Sequence, residues 1–288
     1  MTTKSEVKDP NLLAKVNPTA APMVLARPAF LDARPVEGVE EMSKYITYPR
    51  LKIIQKMAAR ETLDKFDIGS LVLMPDGVVV APIGKDARGR SNLEGAPLRF
   101  IPIAFFEQWC TWGDIKDRSK GSPILDSTTD PNHPIAIKAR NKDTREEIRG
   151  TGDDQKKIRH VEHLNFLVKI HHDGNPADGQ LAMMSFARGS HRDGRNLAKL
   201  IKMRRTSPFY CIFEMKTKFI ERDGNDWYVP NIDNPSEGSA WVEDQATADQ
   251  MKEMHESAMT LIKSNRINVV HDDEEAGSGQ NEVELEAS

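Results

Sequence analysis

The segment VEHLNFLVKIH, residues 161–171, decides the fold class. Apolar residues from Leu164 to Ile170 recur at every second position, which is the period of a strand with one buried face. The turn sequence DGNP follows at 173–176, and a second apolar run follows at 181–186. These features predict a pair of adjacent strands within a β-rich domain.

Further strands are predicted on both sides of this pair. Apolar residues at 68–74 and 78–80 flank an Asp-Gly turn, which is a strong hairpin signal. Alternating or β-branched apolar residues predict additional strands at residues 99–109, 209–220 and 226–229.

Two helices complete the predicted elements. Apolar residues have helical spacing over about residues 192–205, and Pro208 ends this helix. Thr247 with Gln250 three residues later has the capping-box pattern and predicts the start of a final helix. The element order predicts an α+β, mostly β fold: an OB-like Greek-key barrel with an inserted basic helix and a C-terminal helix.

Composition divides the chain into three parts. Residues 1–40 are rich in Pro, Ala and charge, without a period of 2 or 3.6, and we expect a flexible N-terminal arm. Residues 41–270 form a single predicted domain, with a long polar loop at 113–157. Residues 271–288 lack aromatic residues and predict a disordered acidic tail.

Composition also excludes several classes of protein. The 288 residues contain only Cys110 and Cys211, too few for a disulfide framework or a four-cysteine zinc site. No run approaches the roughly 18 apolar residues that a membrane span needs, and the first residues have no apolar signal region. We expect a cytoplasmic protein with reduced thiols, no membrane partner and no cofactor.

Charge is distributed unevenly. The net charge is −4, but residues 271–288 hold seven acids and no Lys or Arg, which leaves 40 bases against 37 acids in the rest. Residues 185–218 hold nine bases and two acids. A local excess of this size indicates an anionic partner.

The basic segment predicts contact with nucleic acid. Lys199, Lys202 and Arg205 follow one another at intervals of three residues, so a helix would present them as a row. Like charges in a row repel unless an anion neutralises them. The alternative is a helix face that is merely solvated.

Aromatic residues near the basic segment are candidates for stacking on bases. Tyr210, Trp227 and Tyr228 carry polar atoms that suit an exposed position, and Trp109 with Trp112 forms a second candidate pair. The alternative for each is a place in the core. The predicted nucleic-acid-binding residues are Arg188, Arg192, Arg195, Lys199, Lys202, Arg204, Arg205, Tyr210, Lys216, Lys218, Trp227, Tyr228, Trp109 and Trp112.

The histidines do not form a predicted metal site. His160 and His163 are three residues apart, and positions i and i+3 of a strand point to opposite faces. We therefore expect surface histidines and no metal.

Glu214 and Lys216 form an E-x-K triplet on a predicted strand. Nucleases of the PD-(D/E)xK type use such a triplet with an upstream acid, here Asp173 or Asp178, to hold Mg²⁺ and activate water. This pattern defines an alternative enzymatic function.

The sequence contains characteristic stretches at residues 48–55, 100–112, 188–201, 213–218 and 227–230. These stretches resemble phage-encoded proteins, and the second half with its acidic tail resembles phage single-stranded-DNA-binding proteins, which use an OB-fold. The tail departs from that group because it ends Glu286-Ala287-Ser288, without the terminal aromatic residue that many members present to partners.

The resemblance and the basic segment together imply sequence-independent binding of single-stranded DNA in phage DNA replication or recombination, without enzymatic activity. The acidic tail would compete for the DNA-binding groove or recruit replication or recombination proteins. The alternatives are a Mg²⁺-dependent nuclease and a virion or interaction protein with no nucleic-acid role. The expected location is the host cell cytoplasm, and the sequence leaves open whether the chain forms a homo-oligomer.

Overall fold

The computed structural model describes residues 48–85, 91–113, 124–150, 155–222 and 224–264. All of them belong to the unit Met42–Ser288. The expected N-terminal arm (1–40) and acidic tail (271–288) lie outside the described residues, so both remain predictions.

The described ranges contain twelve strands and four α-helices. The strands are β1 (Arg50–Ile53), β2 (Leu71–Met74), β3 (Val78–Ala81), β4 (Ile83–Lys85), β5 (Ser91–Gly95), β6 (Leu98–Trp112), β7 (Ile124–Thr128), β8 (Glu146–Arg149), β9 (Lys156–Ile170), β10 (Leu181–Ala187), β11 (Phe213–Arg222) and β12 (Asn225–Asp233). The helices are α1 (Arg60–Leu63), α2 (Pro134–Arg140), α3 (His191–Met203) and α4 (Gln245–Lys263).

The strands form one mixed sheet that curves into a nearly closed barrel. Its path is β3-β2-β1-β10-β9-β6-β11-β5-β4, with β12 on β11, β7 on β6 and β8 on β9. The predicted hairpin is confirmed as β2 and β3, and the predicted central pair as β9 and β10, which are antiparallel. The mostly β, α+β prediction is therefore confirmed as a barrel-shaped sheet.

The barrel is closed by contacts between the segment after β1 and the β11–β12 hairpin. Gln55 Nε2 donates to the Tyr228 carbonyl at 2.7 Å, and the Tyr228 amide donates to Gln55 Oε1 at 3.0 Å, so this side chain bonds the backbone as a strand would. Thr217 Oγ1 donates to the Gly69 carbonyl at 2.7 Å. A Cβ at Gly69 would lie 2.8 Å from the Tyr228 ring, so a larger residue would push the seam apart.

Two buried clusters lie on the two faces of the central strands, because successive side chains of a strand alternate. Leu164 and Phe166 of β9 belong to a cluster that also contains Leu197 of α3. Leu167 of β9 belongs to a second cluster that contains Met251 of α4. Helices α3 and α4 therefore cover opposite faces of the sheet.

Helix α4 is fixed to an irregularity in β6. The β6–β9 register shifts between Pro102 and Ala104, and His255 of α4 donates from Nδ1 to the intervening Ile103 carbonyl at 2.7 Å. The predicted capping box at Thr247 is wrong. Asp244 is the N-cap residue and its carboxylate accepts from the Thr247 amide at 2.7 Å, so the helix starts earlier than predicted.

The prediction of a long polar loop at 113–157 is wrong in part. This segment contains β7, α2 and β8, while residues 114–123 and 151–154 lie outside the described ranges. The short amphipathic helix α2 buries Ile135 and Ala136 against Trp109 of β6. Among the described residues no helix is long and apolar enough to cross a membrane.

Candidate nucleic-acid interface

The outer face of α3 carries the exposed cations Arg192, Arg195, Lys199 and Lys202. We call these four residues the basic row. Within the described part of the chain none of them has a carboxylate oxygen within ion-pair distance. All four side chains are exposed, so the row presents four cations without ion-pair partners in the described ranges to solvent.

The inner face of α3 explains why the cations point outward. Leu197 is fully buried in the cluster that fills the barrel. At Gly194 a Cβ would lie 2.8 Å from Phe186 Cβ, so only glycine allows the helix to approach the sheet this closely. Since the helix is pressed against the barrel along this face, the long charged side chains must occupy the other.

Two acids modify the charge near the start of α3. Burial raises the pKa of Asp193 to about 6. A hydrogen bond with His191 lowers the pKa of Glu162 on β9, and the Arg195 charge lowers it further. His191 Nε2 lies 2.8 Å from Glu162 Oε2. The Glu162 carboxylate is therefore partly compensated by two groups of α3.

Arg204 is a correction to the predicted interface. Its Nη2 donates to the Ile212 carbonyl at 3.0 Å and to Asn234 Oδ1 at 2.6 Å, and its Nη1 donates to the Ala240 carbonyl. A guanidinium with three partners in the protein ties the end of α3 to the 234–241 loop and is not free to bind phosphate.

The other predicted cations occupy four different environments. Arg205 is exposed just after α3, and Arg188 lies over the Trp112 ring with its Cζ 5.5 Å from the centroid. Lys218 is exposed on β11. Lys216 lies in a groove on the side of the barrel, with Nζ 3.5 Å from Glu214 Oε1. The structure therefore does not gather all of these residues around the basic row.

Three of the predicted stacking residues are buried, so their prediction as an exposed platform is wrong. Trp109 is 1% exposed beneath α2, and Trp112 is 3% exposed with its ring 5.8 Å from that of His163. Tyr228 is 5% exposed at the barrel seam, and its hydroxyl donates to the Asn92 carbonyl at 2.8 Å. A base cannot reach a ring that the protein covers on both sides.

The two remaining aromatic candidates are half-buried. Tyr210 packs edge-on against Phe209 with ring centroids 4.5 Å apart, next to the cluster under α4. Trp227 lies on β12 opposite Ile220 of β11. Neither side chain is fully exposed, so the prediction of an exposed stacking platform is not confirmed for them.

The expectation of surface histidines is also wrong. His160 is 4% and His163 0% exposed. Nδ1 of His160 lies 3.0 Å from Thr111 Oγ1, and Nδ1 of His163 lies 3.2 Å from Ser185 Oγ. Both imidazoles are held by polar groups from neighbouring strands, and burial lowers the pKa of His160.

A groove of about 680 Å³ lies between the ends of β6, β9 and β11 and the start of α4. It contains the E-x-K pair Glu214 and Lys216 together with Asp173. Both Glu214 oxygens accept from the Ser236 hydroxyl, at 2.9 and 3.0 Å. Over the described ranges, no group of three or more His, Cys, Asp or Glu residues is placed to hold a metal ion.

The groove also contains an aromatic residue that the sequence analysis missed. Trp241 is 45% exposed, and within the described ranges only Phe105, at 39%, is another exposed aromatic residue. Trp241 lies 23 residues beyond the end of the basic segment (residues 185–218), in a stretch without strand or helix periodicity. The sequence signal for an exposed aromatic residue was a Trp surrounded by Ser, Gly and Glu in such a stretch.

Comparison with known proteins yields one family. No curated protein matches the chain. A family model described as Pam3 phage gp34-like protein matches residues 90–264, which is more than half of the 288 residues. The match supports the phage origin that the resemblance implies, and it spans β5 to α4, which includes α3 and the groove. The chain therefore belongs to the family of Pam3 phage gp34-like proteins.

Proposed function

We propose that the protein binds single-stranded DNA without sequence preference and that the basic row of α3 is its main contact with phosphate. The observation that carries the proposal is the set of four exposed cations without ion-pair partners in the described ranges. Neutralising such charges by phosphate releases counterions from the DNA, and this release supplies most of the free energy of non-specific binding.

We further propose that the barrel is of the OB type. Strands β6, β9 and β10 pair in succession, β11 returns to pair with β6, and β12 pairs with β11. These five strands match the strand number of an OB-type barrel, and helix α3 follows the third of them. Strand β1 lies outside this set of five strands and pairs with β10 in parallel.

Helix α4 covers the face of the barrel on which a ligand would be expected. OB-type proteins commonly bind ligands on the face of their second and third strands. In this chain that face carries Leu167 of β9 and Met183 of β10, which belong to one buried cluster with Met251 and Ala258 of α4. Since α4 covers this face, DNA would contact the helix on the opposite face of the sheet, α3, through the basic row.

A role in phage DNA replication or recombination is part of the proposal, with the host cytoplasm as the location and replication or recombination proteins as partners of the tail. The nuclease alternative rests on Asp173, Glu214 and Lys216 sharing one groove. Binding without cleavage in Mg²⁺ separates the two functions. Cleavage that requires Mg²⁺ and is lost in Lys216→Ala would favour the nuclease.

The test is a titration of labelled oligo-dT with the wild type and with the triple variant Arg195→Glu, Lys199→Glu, Lys202→Glu, at several salt concentrations. We expect weaker binding and a flatter salt dependence. Each lost single-strand phosphate contact lowers the slope by about 0.7, so three lost contacts lower it by about 2. Thermal unfolding should remain cooperative because all three side chains are exposed.

A matched control has the same change in net charge elsewhere. Lys65, Lys252 and Lys263 are exposed, and Lys263 occupies the last turn of α4 as Lys202 does in α3. Glu at these three positions should leave the slope unchanged. Equal losses of affinity in the two triple variants would show that only net charge matters. Unchanged affinity in the basic-row variant would show that DNA binds at a different surface.

A further inference from the structure

We propose that Trp241 is the residue on which a DNA base stacks; this inference rests on the proposed function. Trp241 is 45% exposed, more than any other Trp, Tyr or Phe residue in the described ranges. The stacking candidates taken from the sequence are buried or half-buried. Base stacking needs an open aromatic face near cations that hold the backbone. Trp241 supplies the open ring, and Arg204 connects its loop to the end of α3, the helix that carries the basic row.

The indole is held in place from its inner side. The Arg204 Cζ lies over both rings, 5.1 Å from the Trp241 centroid and 4.2 Å from that of Phe213. Arg204 is itself fixed by its bonds to Ile212 and Asn234. A base would stack on the solvent-facing side of the Trp241 indole.

The backbone on both sides of Trp241 is also fixed. The Ile212 amide donates to the Ala240 carbonyl at 2.9 Å, and the Val242 amide donates to the Tyr210 carbonyl at 3.1 Å. Trp241 forms the β-bridge between these bonds with Cys211. A ring whose position is set before binding loses little conformational entropy when a base stacks on it.

Arg204 links the indole to the basic row. It is the residue that caps α3, two positions after Lys202, and its side chain reaches the loop that carries Trp241. Arg204 therefore connects the end of α3, two residues after the last cation of the row, to the loop that carries the indole. A strand whose phosphates follow the row would bring a base toward the exposed side of the ring.

The charge of the groove beside Trp241 favours a neutral base over a phosphate at this site. The groove is lined by five carboxylates, those of Asp173, Glu214, Glu237, Glu243 and Asp244, and by only two residues of fixed positive charge, Arg99 and Lys216. A phosphate would be repelled there, whereas a neutral base is not. Trp241 should therefore contribute to affinity without contributing to the salt dependence.

The test compares oligo-dT with an abasic oligomer of equal length, in titrations of the wild type, Trp241→Ala, Trp241→Phe and the control Trp227→Ala. Trp241→Ala should weaken oligo-dT binding roughly 5- to 100-fold, the range typical of one stacked base. Its salt slope and its affinity for the abasic oligomer should equal those of the wild type. Trp241→Phe should retain most of the oligo-dT affinity, and Trp227→Ala should match the wild type.

Each remaining outcome has a defined meaning. Equal losses on oligo-dT and on the abasic oligomer would show a structural role for Trp241 and overturn the inference. Unchanged oligo-dT affinity in Trp241→Ala, with affinity lost in the basic-row variant, would overturn the inference alone. Absence of oligo-dT binding by the wild type at low salt would overturn both the inference and the proposed function.

Discussion

Asp193 lies between the exposed cations Arg192 and Arg195 near the start of α3, and burial raises its pKa to about 6 from a usual value of 3.8. The folded protein therefore binds this proton more tightly than the unfolded chain does. The resulting stabilisation is complete below about pH 3.8 and is lost as the pH rises through about 6. At neutral pH the ionised Asp193 carboxylate destabilises the fold.

Replacing Asp193 by Asn should raise the free energy of unfolding by about 1 kcal/mol at pH 8, a discounted value because the side chain is only half-buried. The gain should shrink as the pH falls and disappear near pH 4. Urea unfolding of both proteins across this pH range measures it. A gain that is independent of pH would assign the effect to hydrogen bonding or packing instead.

Arg204 and Arg205 show where single-residue prediction fails. The two side chains are adjacent and chemically identical, yet Arg205 is exposed while Arg204 binds Ile212, Asn234 and Ala240. Two of these partners lie 30 or more residues further along the chain, so no local pattern identifies them. Composition predicts that the segment is basic, and only the tertiary contacts show which cations remain free.

The local period of the sequence predicted the long elements better than the short ones. The strands β9 and β10 and helix α3 have apolar residues at regular spacing over several turns or pleats, and all three are confirmed. Strands β7 and β8 carry mostly polar or charged residues, and α2 has only seven residues, so no period is established there. These elements depend on pairing with β6 and β9 and on contact with Trp109.

The face on which an aromatic residue lies is likewise set by long-range packing. Alternation along β12 places Trp227 and Tyr228 on opposite faces but does not show which face is covered. The covering groups are Gly69, Gln55 and Asn92, more than 130 residues away. Both Trp227 and Tyr228 were therefore predicted to be exposed, although they lie on opposite faces and Tyr228 is buried.

Tyr228 links the β11–β12 hairpin to the segment that follows β1, so its removal should weaken the barrel and leave DNA binding unaltered. Tyr228→Ala should lower the free energy of unfolding by about 3–5 kcal/mol, the usual cost of deleting a large buried aromatic ring. Tyr228→Phe removes only the hydroxyl that donates to the Asn92 carbonyl and should cost about 1 kcal/mol.

Thermal or urea unfolding measures both Tyr228 variants, and an oligo-dT titration is made at a temperature at which each remains folded. Unchanged affinity with reduced stability is the expected result. A folded Tyr228→Phe variant with clearly weaker binding would return Tyr228 to the interface.

At the scale of the whole molecule, opposite charges are separated along the chain. The basic row lies on α3, whereas the groove beside Trp241 is lined by five carboxylates. Residues 271–288 add seven acids with no Lys or Arg. These last residues lie outside the described ranges, and their composition predicts a flexible segment. We propose that such a segment competes with phosphate for the basic row.

Deleting residues 271–288 moves the net charge from −4 to +3. A tethered anionic tail has an effective concentration of roughly millimolar at a site within its reach, and DNA must displace it. The truncated protein should therefore bind oligo-dT more tightly than the full chain at low salt. The difference should shrink as salt rises, because screening weakens the contact between tail and basic row.

A full-length variant with the seven tail acids replaced by Asn or Gln separates charge from length. It should bind oligo-dT as tightly as the truncated protein, because the competition depends on charge. Combining the truncation with the basic-row variant should abolish the gain, since the tail then has no cations to occupy. Equal affinity of full-length and truncated protein across the salt series would show that the tail does not compete, which would leave partner recruitment or solubility as its role.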